Sequence, residues 1–145
     1  MRKLMTAAFA TLAMTFLAFS ATADERPDLL TVITSDSNDT QAMALILTRA
    51  SVQQGSSARI LLCDHAGELA VEGSDMGSTV VQPADANPRQ MLAGLVQAGV
   101  TVEVCAIFLP NRDIDEGDLI EGVGVAQPGP VAEYMAAPNT RLATF

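Results

Sequence analysis

The residue best placed to do chemistry is a cysteine at the end of a predicted strand. Val100, Val102 and Val104 alternate along this strand, and Cys105 sits near its carboxyl end. Open α/β proteins bind their ligands at this edge of the sheet. Thiolates are the reactive form of cysteine, and helix N-termini, which face the same edge, lower the pKa of a thiol. Cys105 is therefore the candidate catalytic residue, and the plain alternative is a small apolar residue of the core.

Three further residues are candidates for binding a sulfur-containing substrate. Arg112 follows Cys105 within one loop and could return to stabilise a thiolate or an anionic sulfur group. Cys63 and His65 stand at the corresponding end of the preceding predicted strand, and His65 is the only histidine of the chain. The sequence thus predicts a site at the sheet edge built from Cys105, Arg112, Cys63 and His65.

The two cysteines leave three interpretations open. In an exported chain, a pair of cysteines is typical of a structural disulfide. In the strand order predicted below, however, their strands lie roughly 9–10 Å apart, whereas the Cα atoms of a disulfide lie about 4.4–6.8 Å apart. Soft ligands from Cys63, His65 and Cys105 suit a metal, but they lack a tight ligand spacing, and no metal is predicted. In the third interpretation Cys63 belongs to the core and His65 to a surface loop.

Residues 1–23 have the pattern of a secretory signal peptide. Arg2 and Lys3 precede an apolar run over residues 4–19, and Ser20-Ala21-Thr22-Ala23 ends in small residues of the A-x-A type. The run is shorter than the ~20 apolar residues that a membrane span requires. We expect cleavage after Ala23, a single domain over residues 24–145, a periplasmic location and no membrane attachment after cleavage.

The composition of the expected mature chain excludes several classes of function. It carries 17 acidic residues against six arginines and no lysine. Nucleic acid and anionic membrane surfaces are poor partners for such a charge. The absence of lysine excludes Schiff-base chemistry, a Walker-type phosphate loop and a phospho-acceptor receiver domain. Asp36 and Asp39 would repel a flavin phosphate from the hydroxyl-rich segment 35–40, and no cofactor is predicted.

Strand and helix patterns alternate along the chain, which indicates a parallel sheet with helices on both faces. We predict a flavodoxin-like three-layer α/β sandwich with a five-stranded, mainly parallel sheet in the order 2-1-3-4-5. A capping box of Asn38 with Gln41 is predicted to begin the first helix, and Asn87 with Gln90 to begin the second. The predicted strands cover residues 29–34, 60–63, 100–108, 123–126 and 140–145.

The order of these segments resembles the DsrE/DsrF-like family, to which the sulfur-relay protein TusD belongs. The resemblance covers nearly the whole mature chain, and its most specific segment runs from Gly99 to Cys105. It implies a flavodoxin-like fold assembled as homotrimers or homohexamers. In the active members it also implies a cysteine after the third strand that carries sulfur as a persulfide, and Cys105 matches that position. The other segments that carry it are Asp39-Thr40-Gln41-Ala42-Met43-Ala44-Leu45, Gly55, Ile60-Leu61-Leu62-Cys63 with Gly67, Arg112, Asp118-Leu119-Ile120 and Gly122-Val123.

The function predicted from these features is that of a periplasmic sulfur carrier or sulfurtransferase-like protein. Cys105 would hold sulfane sulfur as a persulfide, and the partner would be a sulfur donor or acceptor protein or a small thiol. Two alternatives remain open: a non-enzymatic oligomeric binding module, and a redox-responsive thiol pair of Cys63 and Cys105. The sequence does not decide whether the protein is an enzyme.

Overall fold

A computed structural model describes residues 26–145, and the predicted signal peptide lies outside the described residues. Strands and helices alternate in the expected order, joined by two 3₁₀ helices. Among the helices of residues 26–145, none has the length and apolar character needed to cross a membrane. The elements are β1 Asp28–Ile33, α1 Asn38–Gln53, β2 Ala58–Leu62, a 3₁₀ helix Asp64–Ala70, α2 Pro88–Gln97, β3 Thr101–Cys105, a 3₁₀ helix Glu116–Asp118, β4 Val123–Ala126, α3 Pro128–Ala136 and β5 Thr140–Thr144.

The five strands form one parallel sheet in the order β4-β3-β2-β1-β5. The predicted α/β class and five-stranded parallel sheet are thereby confirmed. Of the neighbours in the predicted order, β1 with β2 and β3 with β4 are present, but β3 lies beside β2 and β5 beside β1. The physical reason lies in β2, whose Ile60, Leu61 and Leu62 are buried in succession. A strand buried on both faces belongs in the centre of a parallel sheet, whereas the predicted order had placed it at an edge.

One face of the sheet is covered by α1 and α2 and holds most of the core. Apolar side chains of the three central strands and of β4 point towards these helices. The polar Thr31 is accommodated on this face because its hydroxyl forms a buried hydrogen bond of 2.7 Å with that of Thr48 on α1. Thr48 also donates to the carbonyl oxygen of Ala44 at 2.8 Å, so both buried hydroxyls have partners.

The opposite face is covered by α3, a short helix with no buried residue. Its core is small and is formed by Leu30, Leu61 and Ala126, with Cys63 and Cys105 packed against it. Large apolar side chains remain in water around this helix, among them Ile107, Met135 and Leu142. The two cysteines therefore lie on the thinly covered face of the sheet.

The two predicted capping boxes have different outcomes. Asn87 begins α2 as predicted: its side chain accepts from the Gln90 N–H at 2.8 Å, and its own N–H donates to the Gln90 side chain at 3.0 Å. The capping box predicted for α1 is wrong, because Ser37 is the N-cap and makes no side-chain cap. Gln41 instead donates from Nε2 to the Ser35 carbonyl oxygen at 2.8 Å, which fixes the loop after β1.

Beneath α3 lies an ion pair that crosses from β2 to β3. Arg59 Nε donates to Glu103 Oε2 at 2.6 Å, and both side chains are more than four-fifths shielded from water. Arg59 also donates to the Pro130 carbonyl oxygen at 3.3 Å and lies over the Tyr134 ring at 5.7 Å. Burial, with a contribution from the charge of Asp28, raises the pKa of the Tyr134 phenol, so this ring stays neutral beside the pair. Glu103 thus faces α3 and ties the helix to the sheet.

Glu103→Ala will lower the free energy of unfolding by about 2 kcal/mol, because it leaves the largely desolvated Arg59 charge without its partner. Urea titration followed by circular dichroism measures the change. Replacing both residues, Arg59→Met with Glu103→Leu, removes the charge together with its partner and will restore most of the stability. A double variant as unstable as Glu103→Ala would show that shape, and not the unpaired charge, causes the loss.

Candidate functional site

The two cysteines form a disulfide at the carboxyl edge of the sheet. Because β2 and β3 are neighbours, their carboxyl ends bring Cys63 and Cys105 side by side, with 5.2 Å between the Cα atoms. This separation lies within the range that a disulfide spans. The prediction that β1 lies between the strands of the two cysteines is wrong, because it depended on the predicted strand order. Both cysteines are half-buried, so the bond lies at the surface of the small core and not deep within it.

An apolar groove of ≈ 330 Å³ opens beside Cys105 on the thinly covered face. Its walls come from β2, from the ends of β3 and β4, and from α3. No lining side chain is charged, and Gln127 is the polar residue among them. Cys105 is therefore the half of the disulfide that borders the groove, whereas Cys63 does not line it. The lining residues are Leu61, Cys105, Ala106, Ile107, Ala126, Gln127, Pro128, Val131, Ala132 and Met135.

The amino end of α3 borders the same groove, as expected for a sheet edge that faces helix N-termini. Gln127 is the N-cap, and Pro128 and Pro130 occupy two of the first three helical positions. Proline has no N–H, so Gly129 supplies the one backbone donor of these three positions. The helix end thus offers a thiolate at Cys105 fewer hydrogen-bond donors than an ordinary first turn.

Arg112 joins the two segments that follow the cysteines. Its Nε donates to Glu68 Oε1 at 2.8 Å, and its Nη2 donates to the carbonyl oxygen of Asp64, next to Cys63, at 3.2 Å. Its guanidinium also stacks 4.2 Å above the Phe108 ring. In this structure Arg112 positions the segments after β2 and β3, and its binding of an anionic sulfur group stays a prediction.

Phe108 is a residue of the site region that the sequence analysis did not single out. It is 2% exposed, and its backbone N–H donates to the Cys105 carbonyl oxygen at 2.8 Å, which turns the chain sharply after β3. Its ring stacks on Arg112 and also lies so close to Gly67 that a Cβ at that position would overlap the ring. The sequence shows a glycine after β2 and an aromatic residue after β3, but no local signal indicates that the two are in contact.

His65 is exposed at the start of the 3₁₀ helix, two positions beyond Cys63. Within residues 26–145, no group of three or more histidine, cysteine, aspartate and glutamate side chains is placed to hold a metal ion. Of the four predicted site residues, Cys63 and Cys105 are joined covalently and Arg112 binds the adjoining segment after β2. His65 is exposed and is not part of this arrangement. The fold and the site together define a parallel α/β protein with a disulfide at the carboxyl edge of its sheet.

Two solved structures have a similar fold. The crystal structure of the YchN protein from E. coli matches with a TM-score of 0.67 and 22% sequence identity, over 82% of this chain and 99% of that chain. The protein of unknown function MTH1491 from Methanobacterium thermoautotrophicum matches with a TM-score of 0.62 and 14% identity, over 82% of this chain and 99% of that one. At such identities the likeness concerns the fold alone, and at that level it fits the DsrE-like architecture that the sequence resemblance implies. No protein-family model and no curated protein matches the chain.

Proposed function

We propose that this protein is a periplasmic sulfur carrier, exported by its N-terminal segment, in which Cys105 holds sulfane sulfur as a persulfide. The observation that carries the proposal is the position of Cys105 at the carboxyl edge of β3, where it borders an uncharged groove. This edge is the common location of ligand sites in parallel α/β sheets. The DsrE-like fold and the resemblance of the Gly99–Cys105 segment support the same function.

Uptake of sulfur from a sulfane donor requires the reduced protein. A dithiol first reduces the Cys63–Cys105 bond and leaves two thiols. The Cys105 thiolate then attacks the outer sulfur of a donor persulfide, the donor leaves as a thiolate, and Cys105 carries the transferred sulfur. Transfer to an acceptor thiol is the same exchange in reverse. When no sulfur is bound, a disulfide-forming oxidant of the compartment takes two electrons from the two thiols and closes the bond again, so the pair also reports the redox state.

The partners in this proposal are a donor and an acceptor of sulfur, either small thiols or proteins. The proposed homotrimer or homohexamer is supported by the exposed apolar side chains around α3, because apolar surface of this kind is typical of an interface. Ile107 and Met135 belong to that surface and also line the groove, so an assembly would shield the sulfur from water.

The reduced protein, freed of reductant and incubated with cysteine persulfide, will gain the mass of one sulfur atom. Intact-mass spectrometry measures the gain, and peptide mapping will place it on Cys105. Cys105→Ser will lose this uptake entirely because serine cannot form a persulfide. Cys63→Ser leaves Cys105 as the single thiol, so any sulfur found on that variant identifies its position. Failure of the reduced protein to load, while a known carrier loads beside it, would contradict the proposal.

A disulfide-stabilised binding module is the second candidate function, and the apolar groove is the observation that favours it. In that case the disulfide holds the ends of β2 and β3, and the groove receives an apolar segment of a partner. A Cys105→Ser variant that still binds its partner, together with no sulfur uptake by the reduced protein, would favour this function over the carrier.

A further inference from the structure

The disulfide is itself a two-electron oxidant, and one of its two cysteines lines the groove. We propose that the oxidised protein takes up hydrogen sulfide directly: sulfide attacks Cys105, opens the disulfide and leaves Cys105 as a persulfide. This inference rests on the proposed carrier function and names a substrate for it. In this route the oxidised protein is the form that takes up sulfur, and it does not have to be reduced first.

The chemistry of the groove favours hydrogen sulfide over charged donors. None of its ten lining side chains is charged, so an anion such as thiosulfate would lose its hydration without a compensating partner. The chain as a whole also carries a net charge of −9, which repels anions before they reach the groove. Hydrogen sulfide ionises near neutral pH, so a large share of it is uncharged and can enter.

The strand order decides which sulfur is attacked. Cys105 lies in β3, with β2 and its Cys63 on one side and β4 on the other, where Ala126 is the register partner of Cys105. The groove is bordered by Ala126 and Cys105 but not by Cys63. A nucleophile in the groove therefore meets Cys105 and not Cys63.

The reaction balances without another reactant. A bond forms between the sulfur of hydrogen sulfide and Cys105 Sγ, and the bond between Cys105 Sγ and Cys63 Sγ breaks. The electron pair of the broken bond goes to Cys63 Sγ, which takes the proton that the incoming sulfur releases. The sulfide sulfur is oxidised to the sulfane level, and the disulfide is reduced to one thiol and one persulfide. Passing the outer sulfur to an acceptor thiol leaves a dithiol, and a disulfide-forming oxidant of the compartment must then restore the bond for another round.

The test uses the oxidised full-length protein and sodium sulfide in the absence of oxygen. After a single incubation, excess sulfide is removed and iodoacetamide traps the free thiols and persulfides. We expect each chain to gain the mass of one molecule of hydrogen sulfide, with a trapped thiol on Cys63 and a trapped persulfide on Cys105. The matched control is the same protein reduced beforehand and freed of reductant, which will gain nothing from sulfide because it holds no oxidant.

A groove variant tests the route. Ala132 lies on the exposed side of α3 and lines the groove, so Ala132→Phe will narrow the entrance and slow the loss of the disulfide several-fold. Peptide mapping that finds the persulfide on Cys63, or equally on both cysteines, would overturn the inference, as would an unchanged rate in Ala132→Phe. If sulfide does not load the oxidised protein while cysteine persulfide loads the reduced one, the sulfide route is wrong and the carrier function stands. If neither loads, the carrier function is wrong as well.

Discussion

Reduction of the Cys63–Cys105 disulfide will lower the free energy of unfolding by about 4 kcal/mol. The bond joins residues 42 positions apart, and the loss of chain entropy in an unfolded chain closed over such a loop corresponds to roughly this value. Urea titration with and without a dithiol reductant measures the change. The slope of free energy against urea will rise on reduction, because the unfolded chain without its cross-link exposes more surface.

The control for this prediction is Cys63→Ser, which has no disulfide under either condition. Its unfolding will not respond to the reductant, and its stability will lie close to that of the reduced wild type. Thiol titration of the native, unreduced protein should find no free thiol. If the unfolding curves of the oxidised and the reduced protein coincide, the entropic argument is wrong. The unfolded chain would then be equally constrained with and without the disulfide.

The elements of the fold could be predicted from local pattern. Asn87 and Gln90 place the start of α2 through hydrogen bonds within one helical turn, and such bonds are visible in a sequence. At their carboxyl ends, which lie nearest the site, β1 and β2 were predicted to within one residue and β3 to within three. Alternation of strands with helices was sufficient for the parallel α/β class, because two parallel strands need a crossover connection between them.

The strand order required information that local pattern does not contain. The same connecting segments serve both 2-1-3-4-5 and the observed order, so their lengths alone do not choose between them. The run Ile60-Leu61-Leu62 did contain the deciding evidence, since three successive buried apolar residues are typical of a central strand. A prediction based on that run would have placed β2 in the centre of the sheet beside β3. Cys63 would then have been predicted to lie beside Cys105.

The contacts around the cysteines were also beyond local pattern. Arg112 binds Glu68, 44 positions earlier in the chain, and the ring of Phe108 fills the space above Gly67. Nothing in the local sequence indicates that Arg112 contacts Glu68 or that Phe108 contacts Gly67. The sequence could identify Cys105 because strand ends collect functional groups, but it could not show that Arg112 already has carboxylate and aromatic partners.

These contacts couple the stability of the site to its redox chemistry. The segment after β2 begins with Asp64 and the segment after β3 turns at Phe108, and Arg112 contacts both. When the disulfide opens, the pairing of β2 with β3 and these contacts together keep the two thiols close. A carrier that opens and closes its disulfide needs such contacts, because two separated thiols would lose loop-closure entropy each time the bond formed.

Phe108→Ala will lower the free energy of unfolding by about 3–5 kcal/mol, because it empties a fully buried aromatic site. It will also remove the surface on which Arg112 stacks, so the segments after β2 and β3 will separate more readily. We therefore expect a second effect that ordinary core variants lack, namely faster reduction of the disulfide by a dithiol under native conditions. Urea titration measures the first effect, and the time course of thiol release measures the second.

Two variants separate these effects. Ile107→Ala changes the neighbouring residue, which is 72% exposed, and will alter the free energy of unfolding by no more than about 0.5 kcal/mol. Leu45→Ala empties a core site on α1, a helix that packs against α2, β1 and β2, and will destabilise the protein by about 2–5 kcal/mol. If Leu45→Ala speeds native-state reduction as much as Phe108→Ala does, reduction follows global unfolding and Phe108 has no specific effect on the disulfide. If only Phe108→Ala speeds it, the packing of the Phe108 ring against Gly67 and Arg112 controls access to the bond.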